Sequence, residues 1–124
     1  MRDYEVTLVH ATRELKGKEL VMAKQFTDAI SLKDIVKENG AVLIDVDYLA
    51  EFSVHNERSE NKDYTVYILC DKEGNKYQTS SISFYESAVD CIADMDEVEE
   101  GWSLKVFGMK SKNFAGDFLT ATIV

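Results

Sequence analysis

Proline is absent from this 124-residue sequence, cysteine occurs twice and tryptophan only once. No apolar run approaches the ~20 residues that a membrane-spanning helix needs, so we expect no membrane association. Residues 1–5 contain acidic side chains and no apolar segment, which argues against a signal peptide. Cys70 and Cys91 lack metal-ligand and redox spacing, so they predict buried free thiols in a reducing compartment. We therefore expect a cytoplasmic protein.

Catalytic motifs are missing as well. His10 and His55 stand alone, without the neighbouring serine, cysteine or carboxylate pair that predicts a nucleophile and its base. No glycine-rich phosphate loop, zinc-type cysteine pair or HExxH motif occurs. The carboxylates at residues 45–51 and the acidic run at 94–100 are interpreted as solvated surface, because neither has the oxygen spacing of a calcium loop. We expect no enzymatic activity, no cofactor and no metal.

The chain is strongly acidic: it has 23 Asp and Glu but only 14 Lys and Arg, which gives a net charge of −9. A body this acidic repels nucleic acid at long range. Residues 83–101 hold seven carboxylates and no lysine or arginine, whereas residues 102–124 hold three lysines and one aspartate. Salt screens charges beyond ~8–10 Å. The local distribution therefore decides the partner, and the net charge does not.

Apolar periodicity divides the chain into short elements. Residues 4–12 and 19–26 predict a β-hairpin around a turn at 16–18, and residues 31–40 have the spacing of a short capped helix. Residues 41–55 form the longest predicted strand, with one face made by Val42, Ile44, Val46, Tyr48, Ala50 and Phe52. The elements predicted after it are strands at 63–71 and 76–81, a helix at 83–95 with an acidic outer face, and strands at 102–110 and 117–124.

The order from residue 41 is strand, strand, strand, helix, strand, strand. This is the order of an OB-fold barrel whose helix plugs one end. We therefore predict a mainly β single domain over residues 1–124: an OB-fold-like five-stranded barrel with one capping helix, preceded by an N-terminal β-hairpin and a short helix. A rolled or swapped α+β sheet is the alternative.

The predicted alternation places several rings and lysines on outer strand faces. On residues 102–110, Lys105 and Phe107 point away from the interior face, and Tyr67 and Phe118 do so on their own strands. Stacking a nucleobase on an exposed ring contributes ~1–3 kcal/mol whatever the base, and lysines neutralise phosphates. Packing of each ring against a neighbouring element is the alternative explanation.

An ordered set of short motifs runs along nearly the whole chain. They are KGK at 16–18, NGAVLI at 39–44, AEF at 50–52, DKEGNKY at 71–77, AVD at 88–90, KV at 105–106 and SKNF at 111–114. With this set the chain resembles the small single-stranded DNA-binding proteins of bacteriophages, in particular those of small tailed phages with protein-primed DNA replication.

The resemblance implies an acidic OB-like protein that coats unwound DNA during phage DNA replication, in the cytoplasm of the bacterial host. It also implies stacking at Tyr77, and it places Phe52 at a second aromatic position of the pattern, although the strand alternation gives Phe52 an interior face. We expect single-stranded DNA as ligand, replication proteins as further partners, and a monomer or a small homo-oligomer. The complete predicted DNA-binding set is Phe52, Tyr67, Lys76, Tyr77, Lys105, Phe107, Lys110, Lys112, Phe114 and Phe118.

Two other functions fit the same sequence. A structural or adaptor module of a phage or mobile element would bury the outer rings in a protein interface. An acidic DNA-mimic inhibitor would present Glu86, Asp90 and Asp94 in place of phosphates. Oligonucleotide binding separates the first interpretation from both alternatives.

Overall fold

The computed structural model describes residues 4–26, 28–95, 98, 101–110 and 117–124, with the backbone alone at residues 110, 117 and 118. The described strands are β1 (Tyr4–Ala11), β2 (Ile30–Ser31), β3 (Ala41–Ile44), β4 (Val46–Asn56), β5 (Asp63–Asp71), β6 (Lys76–Thr79), β7 (Leu104–Lys110) and β8 (Asp117–Ile123). The described helices are α1 (Lys18–Ala23), α2 (Leu32–Asn39) and α3 (Ile82–Asp94). None of these helices is long and apolar enough to cross a membrane.

The strands form two sheets. The five-stranded sheet has the order β1-β4-β5-β6-β2, and the three-stranded sheet has the order β3-β7-β8. Neighbours are antiparallel except β2 and β6, which are parallel. The prediction of a mainly β fold is confirmed. Between the described strands neither sheet closes into a barrel, so the predicted closure is not seen.

The strand predicted at residues 41–55 is divided at Asp45. β3 pairs with β7 in one sheet, whereas β4 pairs with β5 in the other. A register irregularity between Val46 and Tyr48 follows the division. An extra residue in a strand moves every later side chain to the opposite face. Val46 therefore packs with the residues of β3, while Tyr48 and the alternate residues after it face the other way.

The predicted N-terminal hairpin is wrong, because residues 19–26 do not form a strand. Gly17 has a φ of 63°, a left-handed conformation suited to glycine, and helix α1 begins directly after it. Leu20 and Ala23, three residues apart, turn toward the five-stranded sheet, and Val21 and Met22 are exposed. The partner of β1 is instead β4. The three-residue spacing of Leu20 and Ala23 is typical of a helix, and it describes this segment better than the short alternating pattern that predicted a strand.

The other turns and caps follow the sequence closely. The Ser31 hydroxyl accepts the Asp34 N–H at 3.4 Å, and Gly40 ends α2 with a φ of 81°. Gly74 has a φ of 93° in the β5–β6 turn, as expected. Helix α3 starts slightly earlier than predicted, because Ser81 is its N-cap.

Two apolar cores lie on opposite faces of the five-stranded sheet. The first core fills the space between the two sheets and the helices α2 and α3. Its most buried members are Leu32, Ile44, Leu49, Leu69, Phe84, Ala88, Leu104 and Val106. The second core lies beneath residues 12–26 and 28–29, which we call the covering segment. It consists of Leu15, Ala23, Tyr48, Ala50, Phe52, Ile68 and Cys70.

Candidate nucleic-acid interface

The outer face of the three-stranded sheet is the surface where predicted ligand residues come together. Inner-face residues of β7, Leu104 and Val106, are fully buried, so Lys105, Phe107 and Met109 point outward as expected. Cross-strand register adds residues from both neighbouring strands. We define this outer face by Ala41, Leu43, Lys105, Phe107, Met109, Thr120 and Thr122.

A cation and a ring are already paired on this face. The Lys105 Nζ lies 5.6 Å from the centroid of the Phe107 ring, which is within cation–π range. Leu43 stands directly across from Lys105 in the ladder, and it is 64% exposed. Met109, two residues beyond Phe107, is 47% exposed. The face therefore offers flat apolar contact area around a single positive charge.

None of the seven residues that define the outer face is a carboxylate, but Asp45 lies at its edge, where its Oδ1 accepts a hydrogen bond from the Ser103 hydroxyl at 2.6 Å. The acidic residues of α3 that the sequence singled out, Glu86, Asp90 and Asp94, are exposed on the helix itself. Helix α3 lies along β8, where Ser83 and Cys91 donate to the carbonyls of Leu119 and Ala121. The Ser87 and Thr120 hydroxyls lie 3.1 Å apart, so the acidic helix borders the outer face on one side and Asp45 borders it at one end.

Four predicted ligand residues cannot be placed. Lys112 and Phe114 lie outside the described residues. The side chains of Lys110 and Phe118 also lie outside them, although the backbone of both residues belongs to the β7–β8 pair. Lys110 ends β7, so its main chain continues the strand that carries Lys105 and Phe107.

Phe52 lies in the second core and not on a free surface. Its side chain is fully buried, and the ring of Phe26 from the covering segment meets it edge to face at a centroid distance of 5.7 Å. The interior face predicted from strand alternation is correct. A stacking role for Phe52 is therefore not supported in this conformation, because a base has no access to the ring.

Lys76 is a buried cation with three oxygen partners. Its Nζ donates to the carbonyls of Met22 at 2.8 Å and Gln25 at 2.6 Å, and it pairs with Asp28 Oδ1 at 2.9 Å. The side chain is only 8% exposed. The bond from Lys76 lowers the pKa of the Asp28 carboxyl. The structure does not support the predicted phosphate contact, because the covering segment already holds the ammonium group.

Tyr67 is also buried, contrary to the predicted outer position. Its ring stacks on Tyr85 of α3 with centroids 4.3 Å apart and planes 15° apart. Burial, followed by the nearby Glu51 carboxylate, raises the pKa of Tyr85 to about 12. The alternation rule failed at β5 because both faces of the five-stranded sheet are covered, one by α3 and the other by the covering segment.

Tyr77 is half-buried against the first core, where it packs with the residues of α2. Burial raises the pKa of its hydroxyl, and the Asp71 and Glu73 carboxylates raise it further. Those carboxylates make the end of the β5–β6 hairpin negative. The ring of Tyr77 is partly accessible, but its surroundings are less favourable to phosphate than the outer face.

Leu43 and Met109 belong to the interface but not to the predicted set. Strand alternation could have found Leu43, since it lies opposite the apolar face formed by Val42 and Ile44. It did not suggest a ligand role because aliphatic side chains carry no charge or ring. Only the register between β3 and β7 brings Leu43 beside Lys105.

His55 links the two ends of the β4–β5 connection. Its Nδ1 is 2.7 Å from Asp63 Oδ1 and its Nε2 is 2.7 Å from Glu57 Oε1. Glu57 also pairs with Lys62, and Glu5 stands opposite His55 on β1. Nowhere in the described part of the chain do three histidine, cysteine or acidic side chains converge as metal ligands do. The arrangement suits an imidazolium that donates from both nitrogens.

We expect His55 to titrate above the ordinary histidine pKa of about 6.5. The bond to Asp63, and then the bond to Glu57, raise the pKa of His55. The stabilisation from the protonated ring is therefore complete below pH ~6.5 and is lost as pH rises through the folded-state pKa. Ring-proton NMR titration measures the midpoint, and Asp63→Asn should lower it more than Glu57→Gln. A midpoint at or below the ordinary value contradicts the assigned hydrogen bonds.

Comparison of the chain with protein-family models, with curated proteins and with solved structures found no match. The functional conclusion therefore rests on the geometry described above together with the sequence pattern.

Proposed function

We propose that this protein binds single-stranded DNA without sequence preference, through the outer face of its three-stranded sheet. The observation that carries the proposal is the pairing of Lys105 with Phe107 on an outer sheet face whose other defining residues are apolar or threonine. Stacked bases need accessible rings, and the strand's phosphates need cations. The outer face supplies both.

The net charge of −9 does not oppose this assignment at close range. Screening at physiological salt limits interactions between exposed charges to ~8–10 Å. A phosphate on Lys105 interacts first with the residues of the outer face and with Asp45 at its edge, and more weakly with carboxylates beyond that distance. The acidic surface slows long-range encounter, and it also disfavours attachment of DNA to the acidic face of α3.

The topology supports the proposal as well. Residues 41–56 run through both sheets, since β3 belongs to one and β4 to the other. From β3 onward the elements follow in the order β3, β4, β5, β6, α3, β7 and β8. With β3 and β4 counted as one long strand, this is the element order of an OB fold. We assign this part of the chain as an open OB-type barrel. Its role in coating unwound phage DNA rests on the sequence resemblance.

Replacing Phe107 by alanine is expected to lower the affinity for oligo-dT about tenfold, because one stacking contact is lost. Lys105→Gln should also weaken binding, and it should flatten the dependence of log K on log salt by ~0.7, the value for one phosphate contact on a single strand. Fluorescence titration at two salt concentrations measures both quantities.

Lys16→Gln is the matched control, because it removes the same charge from a side chain that is 82% exposed and distant in sequence from the outer face. Equal weakening by Lys16→Gln and Lys105→Gln would show that overall charge governs binding and not this face. If Phe107→Ala and Lys105→Gln both keep the wild-type affinity and salt dependence, the outer face is not the DNA-binding site.

The exposed Leu43 and Met109 favour a second candidate, a protein-docking role for the same face. Large exposed apolar side chains on a sheet are typical of protein interfaces. This function predicts a wild-type protein that does not bind oligo-dT and forms a stable complex or oligomer. Leu43→Lys should then dissociate the assembly, as measured by light scattering after size-exclusion chromatography.

A further inference from the structure

A cleft of about 470 Å³ opens beside the first half of β5, apart from the outer face. Its volume is within the ~300–1,000 Å³ range of small-molecule sites. Tyr64, Thr65 and Val66 form one wall, and residues 78–80 form another. The N-terminal turn of α2 contributes Lys33. The cleft therefore combines one ring and one cation with polar side chains.

The cleft exists because β6 is shorter than β5. Pairing between them stops at Tyr67 and Thr79, since the chain leaves β6 to reach the Ser81 cap of α3. Tyr64 and Val66 still pair with Val54 and Phe52 of β4 on their other side. No described strand pairs with residues 64–66 on the cleft side. The main-chain groups of this stretch that point away from β4 are thus available to a ligand.

Donors outnumber negative charges in the lining. Lys33 is its cation, and among the described residues that line the cleft none is acidic. The Thr79 hydroxyl accepts the Ser81 N–H at 3.2 Å, which leaves its own proton free to donate. Gln78 is held in place by its bond to the Ala29 carbonyl at 3.1 Å. In a chain of net charge −9 this lining suits an anion with acceptor oxygens.

The wall residue Tyr64 has a ring that a flat ligand can reach. Tyr64 as a residue is 37% exposed, in contrast to the buried Tyr67 on the same strand. An accessible tyrosine ring stacks on a nucleobase of any sequence. A nucleotide has the two parts that this cleft accommodates, a flat base and an anionic phosphate with acceptor oxygens.

We infer that the cleft binds one nucleotide of the DNA strand, with its base against Tyr64 and its phosphate on Lys33. This inference rests on the proposed function, which it extends by a second contact point for the same strand. A polynucleotide that occupies both the cleft and the outer face gains affinity because the second contact is intramolecular.

The direct test is an NMR titration of the full chain with dTMP, with thymidine and inorganic phosphate as separate probes. Binding in the cleft shifts the amide signals of residues 64–66 and 78–80 with dTMP more than with either part alone. Equal shifts with phosphate alone would overturn the stacked base, and unmoved cleft amides would overturn the site.

Variants test the same cleft with the DNA strand. Tyr64→Ala should weaken oligo-dT binding about tenfold while Tyr64→Phe retains it, because the ring makes the contact. Lys33→Gln should weaken binding several-fold, whereas Lys37→Gln, one turn further along the same exposed helix face, should not. Equal effects of the two lysine variants would overturn the assigned phosphate contact.

The failures of the two proposals are distinguishable. Oligo-dT binding that depends on Phe107 but not on Tyr64 or Lys33 would reject the cleft and retain the outer face. A wild-type protein that does not bind oligo-dT at all would reject the proposed function, and with it a strand contact in the cleft.

Discussion

Replacing Phe52 by alanine is expected to lower the free energy of unfolding by about 4 kcal/mol, as large-to-small changes of fully buried aromatic residues do. The Phe52 ring is fully buried in the second core, so its removal also eliminates the edge-to-face contact with Phe26. The cavity lies between the five-stranded sheet and the covering segment, which packs on the sheet through few fully buried side chains. Urea unfolding monitored by circular dichroism measures the change.

Two further substitutions make the result specific. Leu43→Ala, at a side chain that is 64% exposed, should change the free energy of unfolding by less than ~0.5 kcal/mol. Phe52→Leu should retain most of the stability and bind oligo-dT as the wild type does. If Phe52→Leu is stable but no longer binds oligo-dT, Phe52 contacts DNA and its burial in the second core does not exclude that role.

Lys76→Met is expected to destabilise the protein by about 3 kcal/mol. The substitution keeps most of the side-chain length but removes a buried ammonium that donates to two carbonyls and a carboxylate. A bond to a charged group contributes ~1.5–3 kcal/mol. The Met22 carbonyl keeps its bond from the Gln25 N–H at 3.1 Å, so most of the loss comes from the charge-assisted bonds. Asp28 is 70% exposed, so its carboxylate returns to water and adds little to the loss.

The loss of stability in Lys76→Met should appear first as local unfolding near the covering segment. Hydrogen exchange should rise first at residues 18–26, because Lys76 ties the end of α1 and the following turn to β6. Lys16→Met, at a side chain that is 82% exposed, is the control and should leave both stability and exchange unchanged. Lys76→Met with wild-type stability but weakened DNA binding would restore the phosphate role predicted from sequence.

Burial separates the predicted site residues whose outward position is correct from those that the fold covers. Lys105 and Phe107 were placed correctly because β7 has one buried face and one open face, which is the condition under which alternation is informative. Tyr67 and Lys76 were misplaced because their sheet is covered on both faces. The covering segment that hides Lys76 and Phe52 was itself predicted as part of a hairpin, so its packing over the second core was missed.

Local chemistry in the sequence determined the capped helices, the β5–β6 hairpin, the alternation of β7 and the mainly β class, because each depends on residues within a few positions of one another. Tertiary structure decided the break at Asp45, the pairing of β1 with β4, and the burial of Tyr67 and Lys76. These features depend on which distant segment covers a given face of a sheet. The stabilisation comes from contacts between residues far apart in the sequence, so no short stretch of sequence predicts it.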